Sequence, residues 1–432
     1  MGNGGLSEMK PMTLWSAAAC RRFAPREPCA IRKREQAPAL QISCPLSEKH
    51  RLLTYKKSRG TWKFVLTNPK FLRLALRLAR RAYGRTSPNP LVGAVLARRG
   101  KIIGQGWHRR AGEPHAEIEA IRDARERGHN PKGATLYVTL EPCCTHGRTP
   151  PCTQAIIAAG IRRVVAGATD PNPRHAGRGF AVLRRAGLSV TQGVLARECG
   201  QLNEAFNHWI VRRTPFVTVK AAMSLDGKIA TVTGQSKWIT GEPARAFAMR
   251  LRAGADAVLV GVNTIVRDNP RLTLRRPGFA GKNLRRIVLD PRGRTPLAAA
   301  ILGGPSAHLT TLVVTKSAPA KRLAALRRRA RVLVAPARRG RIRLPWLLQT
   351  LGRENVTSLL VEGGGETNAL WMPLCQRVVF FYAPIILGGR QAPTAVAGDG
   401  ARSPAGKLRL RDVHWRRLGG DFLLIARVNG AK

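Results

Sequence analysis

Three side chains that suit one metal ion are spread from His115 to Cys152, and bringing them together restricts the fold more than any other feature of this chain. The stretch opens His115-Ala116-Glu117 and closes Glu141-Pro142-Cys143-Cys144-Thr145-His146-Gly147-Arg148-Thr149-Pro150-Pro151-Cys152. One His and two Cys form a three-ligand zinc set, and a catalytic zinc keeps its fourth position for water. That water loses a proton near neutral pH and becomes a nucleophile, while Glu117 is placed to carry protons as general acid and base. For the ligands to meet, His115 and Glu117 must open one helix, Cys152 must open another, and Cys143 must end the strand that leads to it. Helix N-termini aimed at one place also favour ionised thiols.

The surrounding pattern supplies such elements. A strong helix former runs over 71–79, with Asn68 as N-cap before Pro69, and should end before Thr86-Ser87-Pro88-Asn89-Pro90. Apolar runs at 92–96 and 102–107 flank the turn Arg99-Gly100-Lys101 and read as a hairpin. Helix 115–127, strand 134–140, helix 152–159, strand 162–168, helix 180–186 and strand 188–194 follow, which describes a three-layer α/β domain. A helix over 201–213 leads out of it. Near-continuous apolar runs then recur at 216–222, 257–262, 286–290, 311–315, 331–335 and 359–362, as expected of strands buried on both faces. Helical segments at 242–253 and 344–351 alternate with them, so the second domain should carry a mainly parallel, doubly wound sheet. The expected organisation is an extension over 1–66, a first domain over 67–208, a linker over 209–215 and a second domain over 216–432.

A length of 432 residues fits two domains. The formal charge is +51, from 75 Lys+Arg against 24 Asp+Glu. Such a field favours polyanions and phosphorylated substrates, yet the basic residues are scattered through every segment. That scatter argues for a general Arg bias solvated at the surface over a nucleic-acid groove. No run of about eighteen apolar residues is present, so no membrane span is expected. The eight cysteines lack the regular spacing of a secreted disulfide framework and fit a reducing, intracellular compartment. Residues 1–66 hold thirteen Lys/Arg against four Glu and no lasting apolar period. They read as a disordered tail or as sequence ahead of the true start, with an organellar transit peptide as the alternative. The expected location is the cytoplasm, or an organelle in that last case.

The general zinc-deaminase signature is His-x-Glu followed by Pro-Cys-x-x-Cys. Here the second Cys comes nine residues after the first. The loop leaves Cys144 and His146 as competing ligands. Adjacent residues rarely reach one metal together, so Cys144 reads as a bystander and His146 as better placed to meet a substrate. A closed structural zinc site would need a fourth ligand and would leave Glu117 without a role.

With that loop, the chain resembles the riboflavin-biosynthesis pyrimidine deaminase/reductase family. The resemblance rests on His115-Ala116-Glu117, Thr139-Leu140-Glu141-Pro142-Cys143 and His146-Gly147-Arg148-Thr149-Pro150-Pro151-Cys152. Pro88-Asn89-Pro90, Gly112-Glu113-Pro114-His115 and Asp170-Pro171-Asn172-Pro173 match it as well. It extends through Lys220-Ala221-Ala222-Met223-Ser224-Leu225-Asp226-Gly227-Lys228, Gly261-Val262-Asn263-Thr264, Asp268-Asn269-Pro270-Arg271-Leu272-Thr273 and Val361-Glu362-Gly363-Gly364-Gly365. It implies a cytidine-deaminase-like first domain and a dihydrofolate-reductase-like second domain. It also implies a small phosphorylated pyrimidine as substrate, zinc and NADPH as cofactors, no nucleic-acid or membrane partner, and a homodimer or homotetramer.

Carried over residue by residue, the resemblance gives zinc to His115, Cys143 and Cys152, proton transfer to Glu117 and pyrimidine binding to Asn89. His146 and Arg148 are implied at the phosphate or as loop-ordering residues. Ala222, Trp238, Thr264, Asp268 and Gly364 match cofactor-side positions. Ser236, Arg252, Leu272, Arg275 and Glu362 match substrate-side ones, with Arg252 and Arg275 suited to a phosphate. Lys220 and Asp226 bear either on the reduced carbon or on the site's structure. Cys144 departs from the small hydroxyl residue expected there. Two rival classes predict other properties. An RNA base deaminase would bind RNA in a salt-sensitive way and would leave the second domain unexplained. A non-catalytic nucleic-acid-binding protein with structural zinc would have no turnover to lose on Glu117→Gln.

Overall fold

The computed structural model describes residues 52–58, 61–67, 69–146, 150–275, 279 and 282–429. The Asn68 cap, Arg148 and most of the basic extension lie outside them. Strands β1 (Leu52–Ser58) and β2 (Thr61–Thr67) pair as a two-stranded sheet, and Leu53–Leu66 belong to a different compact unit from the residues that follow. This hairpin falls in the extension read above as aperiodic. In retrospect Trp62, Phe64 and Leu66 alternate as strand residues do.

The second unit opens with α1 (Pro69–Arg80), β3 (Gly93–Arg98), β4 (Lys101–Trp107), α2 (Ala116–Glu126), β5 (Thr135–Leu140) and α3 (Cys152–Ala158). It continues with β6 (Arg163–Ala168), α4 (Arg178–Arg185), β7 (Ser189–Thr191), α5 (Ala196–Leu202) and α6 (Glu204–Arg212). The sheet order is β4-β3-β5-β6-β7; β3 runs antiparallel to β4 and β5, and β5, β6 and β7 are parallel. In α1, Leu72, Ala75, Leu76 and Ala79 are buried while Arg73, Arg77 and Arg80 face outward, a helical period that lays one face on the sheet. With Cys199 it packs on Val95, Tyr137 and Val165, while Ala120, Ile156, Phe180 and Leu183 of α2, α3 and α4 cover the other side. The three-layer expectation is met.

The single helix expected over 201–213 is instead two. Asn203 leaves helical geometry (φ −113°, ψ 23°) because its amide brackets the Leu91 peptide, accepting from Leu91 N at 2.7 Å and donating to Leu91 O at 2.9 Å. Most of the expected linker lies inside α6, where Trp209 and Ile210 are buried.

The second domain contains β8 (Phe216–Ser224), α7 (Glu242–Gly254), β9 (Ala257–Gly261), α8 (Val262–Asp268), β10 (Arg285–Leu289), β11 (Thr310–Val314), α9 (Ala320–Arg327) and β12 (Arg331–Val334). After them come β13 (Ala337–Arg338), β14 (Arg341–Ile342), α10 (Leu344–Arg353), β15 (Ser358–Val361), α11 (Gly365–Trp371), β16 (Arg377–Ala383), β17 (Leu410–Leu418) and β18 (Asp421–Val428). Nine strands form one sheet ordered β12-β11-β10-β9-β15-β8-β16-β18-β17. It is parallel from β12 to β16 and antiparallel at β16-β18-β17. Leu347, Leu351 and Trp371 pack on one face of this sheet, and Ile265, Ile301 and Leu326 on the other. Among the described residues no helix is long and apolar enough to cross a membrane.

The first domain docks against the N-terminal ends of the parallel strands. Ser87 Oγ donates to Asp256 Oδ2 at 2.8 Å, an oxygen that also accepts from Thr357 N, and Trp209 Nε1 donates to Gly352 O at 2.9 Å. Glu204 is paired with both Arg377 and Arg427.

Candidate active sites

Two helices and one strand end converge as the ligand spacing requires. His115 is the extended N-cap of α2, Cys152 is the first residue of α3 behind Pro151, and Cys143 sits in the loop after β5. The donor atoms of all three lie within 4.8 Å of one another. His115 Nδ1 is 3.2 Å from Cys152 Sγ and 3.6 Å from Cys143 Sγ, and the Cys152 backbone N–H donates to Cys143 Sγ at 3.3 Å. Metal bonds of about 2.0 Å to nitrogen and 2.3 Å to sulfur around a tetrahedral ion place such donors about 3.5 Å apart, so imidazole and thiols are spaced for one zinc. The bond from the Cys152 thiol, with His115 beside it, pulls Cys143 down to about 4; Cys152 holds the shared proton and is pushed up. A cation would replace that proton.

Glu117, the second residue of α2, is 3 % exposed, and burial lifts its carboxyl to about 7 although the His115 charge opposes this. It lines a cavity of ≈ 420 Å³ together with Asn89, His108, His115, Cys143 and His146. His108 was not singled out in the sequence. It is buried, its Nδ1 donates to Pro114 O at 3.1 Å, and its Nε2 therefore accepts from Asn89 Nδ2 at 3.1 Å. Burial, ahead of the other causes, lowers its pKa, in keeping with a neutral ring. The far wall is the segment after β6, with Asp170, Asn172, Arg174 and His175; Phe206 and Trp209 of α6 and Asn355 of the second domain complete it. Cys144 takes no part in the ligand cluster: its Sγ lies 3.6 Å from His175 Nδ1.

The second site lies at the C-terminal ends of β9, β10 and β15. A cavity of ≈ 430 Å³ is lined there by Ser236, Thr264, Asp268, Pro291 and Gly364, among others. A Cβ on Gly364 would meet only Ile229 Cδ1, at 4.0 Å, whereas one on Gly365 would lie 2.3 Å from Thr394 O; the turn presents bare backbone to the cavity. Ala222 packs with Phe247 and Leu251, and Trp238 is 69 % exposed beneath the Arg245 guanidinium; neither lines this cavity.

Two of the residues expected on the substrate side meet one another. Arg252 and Glu362 form an ion pair at 2.5 Å with side chains 12 % and 8 % exposed, and Arg252 Nη1 donates to Thr273 O at 3.2 Å. The fork expected to hold a phosphate is thus committed to protein partners. Burial works against the Glu362 charge, but Arg252 and Lys220 outweigh it and hold the carboxyl below its usual range. Lys220 is covered, and burial pulls its pKa down while Glu362 opposes. Leu272 is buried at φ 49° and Arg275 is exposed. Asp226 accepts from Ser224 Oγ at 2.6 Å and from the Leu387 and Gly388 amides, a role in holding the 385–389 loop.

A three-layer domain that gathers one imidazole and two thiols at helix starts, with a covered carboxylate in the same cavity, is a zinc-dependent deaminase, here joined to a parallel α/β reductase domain. The model of the cytidine and deoxycytidylate deaminase zinc-binding region matches residues 67–168, and that of the RibD C-terminal domain matches 215–424. The riboflavin biosynthesis protein RibD of Actinobacillus pleuropneumoniae is 42% identical over 363 residues, covering 83% of this chain and 95% of that protein. That of Aquifex aeolicus is 43% identical over 356 residues, covering 82% and 96%. The solved structure of Acinetobacter baumannii RibD has a TM-score of 0.74 at 34% identity, covering 83% of this chain and 98% of its own. The diaminohydroxyphosphoribosylaminopyrimidine deaminase/5-amino-6-(5-phosphoribosylamino)uracil reductase of Thermotoga maritima gives 0.72 at 34% over the same shares. The chain belongs to the RibD family of bifunctional deaminase/reductases of riboflavin biosynthesis.

Proposed function

We propose that the first domain hydrolyses the exocyclic amine of 2,5-diamino-6-(5-phosphoribosylamino)pyrimidin-4-one and that the second reduces the ribosyl group of the product to a ribityl chain with NADPH. The observation that carries the first step is the buried Glu117 facing the His115–Cys143–Cys152 cluster within one cavity. Zinc held by that cluster would supply an activated water. Glu117 would take one proton from that water as its oxygen bonds to the ring carbon bearing the amine, and would hand the proton to the amine as the C–N bond breaks and ammonia leaves, the remaining hydroxyl proton passing to the neighbouring ring nitrogen. Asn89, with its amide N–H spent on His108, keeps its carbonyl oxygen as acceptor for a pyrimidine N–H. His146, on the wall of the same cavity, and Arg148 are proposed at the phosphate.

For the second step, bound NADPH would supply a hydride to the sugar carbon bonded to nitrogen, and the ring oxygen released from that carbon would take up a proton. The bare backbone at Gly364, with Thr264 and Asp268 across the cavity, supports dinucleotide binding at the strand ends. Lys220, Arg252 and Glu362 form the charged, covered group on the substrate side, and exposed Arg275 is proposed at the phosphate. Incubating the zinc-loaded protein with the diaminopyrimidine phosphate tests both halves. Ammonia should appear without NADPH, and NADPH should be oxidised only after ammonia is released. A zinc-loaded sample that frees no ammonia refutes the reading.

A further inference from the structure

We propose that Glu141 is a positioning residue, one that holds the far wall of the deaminase cavity in place without contributing to the metal cluster. Its carboxylate follows β5 and is 3 % exposed. Oε2 accepts from the backbone N–H groups of Asp170 at 3.1 Å and Gly177 at 2.9 Å, and Oε1 accepts from Gly179 N at 2.8 Å. Three bonds to one side chain bind the segment 170–179 at both of its ends. That segment carries Asp170, Asn172, Arg174 and His175 on the cavity wall.

The backbone is built to reach Glu141. Gly177 sits at φ 90°, in left-handed space, and a Cβ on Gly179 would lie 2.2 Å from Pro142 O and 3.1 Å from Glu141 Oε1. From these anchors the wall is continued inward: Asn172 N donates to Asp170 Oδ1 at 2.9 Å, and His175 N donates to Asn172 O at 2.8 Å. Glu141 therefore fixes where the wall stands relative to Glu117 and the ligands, which sets how well a pyrimidine is held between them. The proposal rests on the deaminase reading above.

Glu141→Gln keeps the shape but replaces one accepting oxygen with an N–H donor that faces N–H groups, so the anchors loosen. The expected result is a KM for deamination raised about tenfold, with kcat within about threefold of wild type. Zinc content and NADPH-dependent reduction of already deaminated compound should be unchanged. Hydrogen exchange at the Asp170, Gly177 and Gly179 amides should quicken, and that readout needs no turnover. Gly179→Ala leaves the Glu141 side chain chemically unchanged but forces the same segment away from Pro142 O and Glu141 Oε1, and should give the same KM signature; it serves in place of Glu141→Gln should that variant not fold. A wild-type protein that frees no ammonia would sink the deaminase reading instead. With wild type active, unchanged KM and exchange in both variants overturn the proposal, as does zinc loss in parallel with the KM change.

Discussion

The two cavities solve the problem of buried charge in opposite ways. In the deaminase site the cluster is incomplete as protein: Cys143 is drawn towards its thiolate while Cys152 holds the proton that a metal would displace. In the reductase domain Arg252 is already paired with Glu362, with Lys220 beside them. The first arrangement gathers donors that suit a cation. The second is a pair made within the protein itself. Substitutions should therefore act on chemistry in one cavity and on folding in the other.

The largest expected effect is Glu117→Gln. It leaves the three ligands in place but removes the group that carries the proton, so deamination should fall by about 10²–10⁴ in kcat. Zinc content and the reductase should stay at wild-type levels. A loss of zinc in this variant would mean that the carboxylate holds the cluster together, and the contrast between the cavities would fail.

Arg252→Met comes next. It leaves Glu362 covered and without its ion-pair partner, which costs about 3–5 kcal/mol. Thermal unfolding should shift down strongly, with little change in deamination by the folded fraction at low temperature. If the variant keeps its stability and loses only reductase KM, Arg252 is a ligand group and not a completed pair.

These sites differ equally in how far the sequence discloses them. His115, Glu117, Cys143 and Cys152 are near neighbours in the chain on elements with a clear period, so their convergence follows from the strand and helix order. His108 is missed because its place depends on Asn89 and Pro114 O, partners that no local pattern marks. The parallel strands read well because both faces are buried. Strand β17 does not: it is the sheet edge and is exposed along nearly its whole length, so Leu410–Leu418 carries no apolar alternation. Arg252 and Glu362 match a ligand-binding pattern in sequence, yet their mutual pairing appears only when β15 and α7 are brought together.

A smaller effect separates the seam from both cavities. His208 on α6 lies edge-on to Phe216, and its Nε2 is 3.2 Å from Thr214 Oγ1. Burial, reinforced by the Arg212 charge, lowers its pKa to about 4. As pH falls below about 6.5 the unfolded chain takes up this proton before the native one does. The contribution is therefore intact above pH 6.5 and is lost between 6.5 and 4. His208→Gln should flatten the melting temperature across that window by a few degrees, with no change at pH 8. An equal shift at pH 8 would assign the residue to packing alone.

The smallest effect concerns passage between the sites. The deaminase domain sits at the N-terminal ends of β8, β9 and β15, through Asp256, Thr357 and Gly352, while the reductase cavity opens at their C-terminal ends, at Gly261, Pro291 and Gly364. At about 3.3 Å per residue the strands β9 and β15 alone set the two apart by about 15 Å, with Val219, Leu259 and Val361 packed in the core between. A deaminated product has no short way through the sheet and must travel outside it. With wild-type protein, NADPH oxidation should then lag behind ammonia release, and adding Glu117→Gln protein, whose reductase is intact, should shorten the lag in proportion to the amount added. A lag indifferent to that addition would mean that product passes within one molecule, and the two ends of the sheet would be coupled in a way their geometry does not provide.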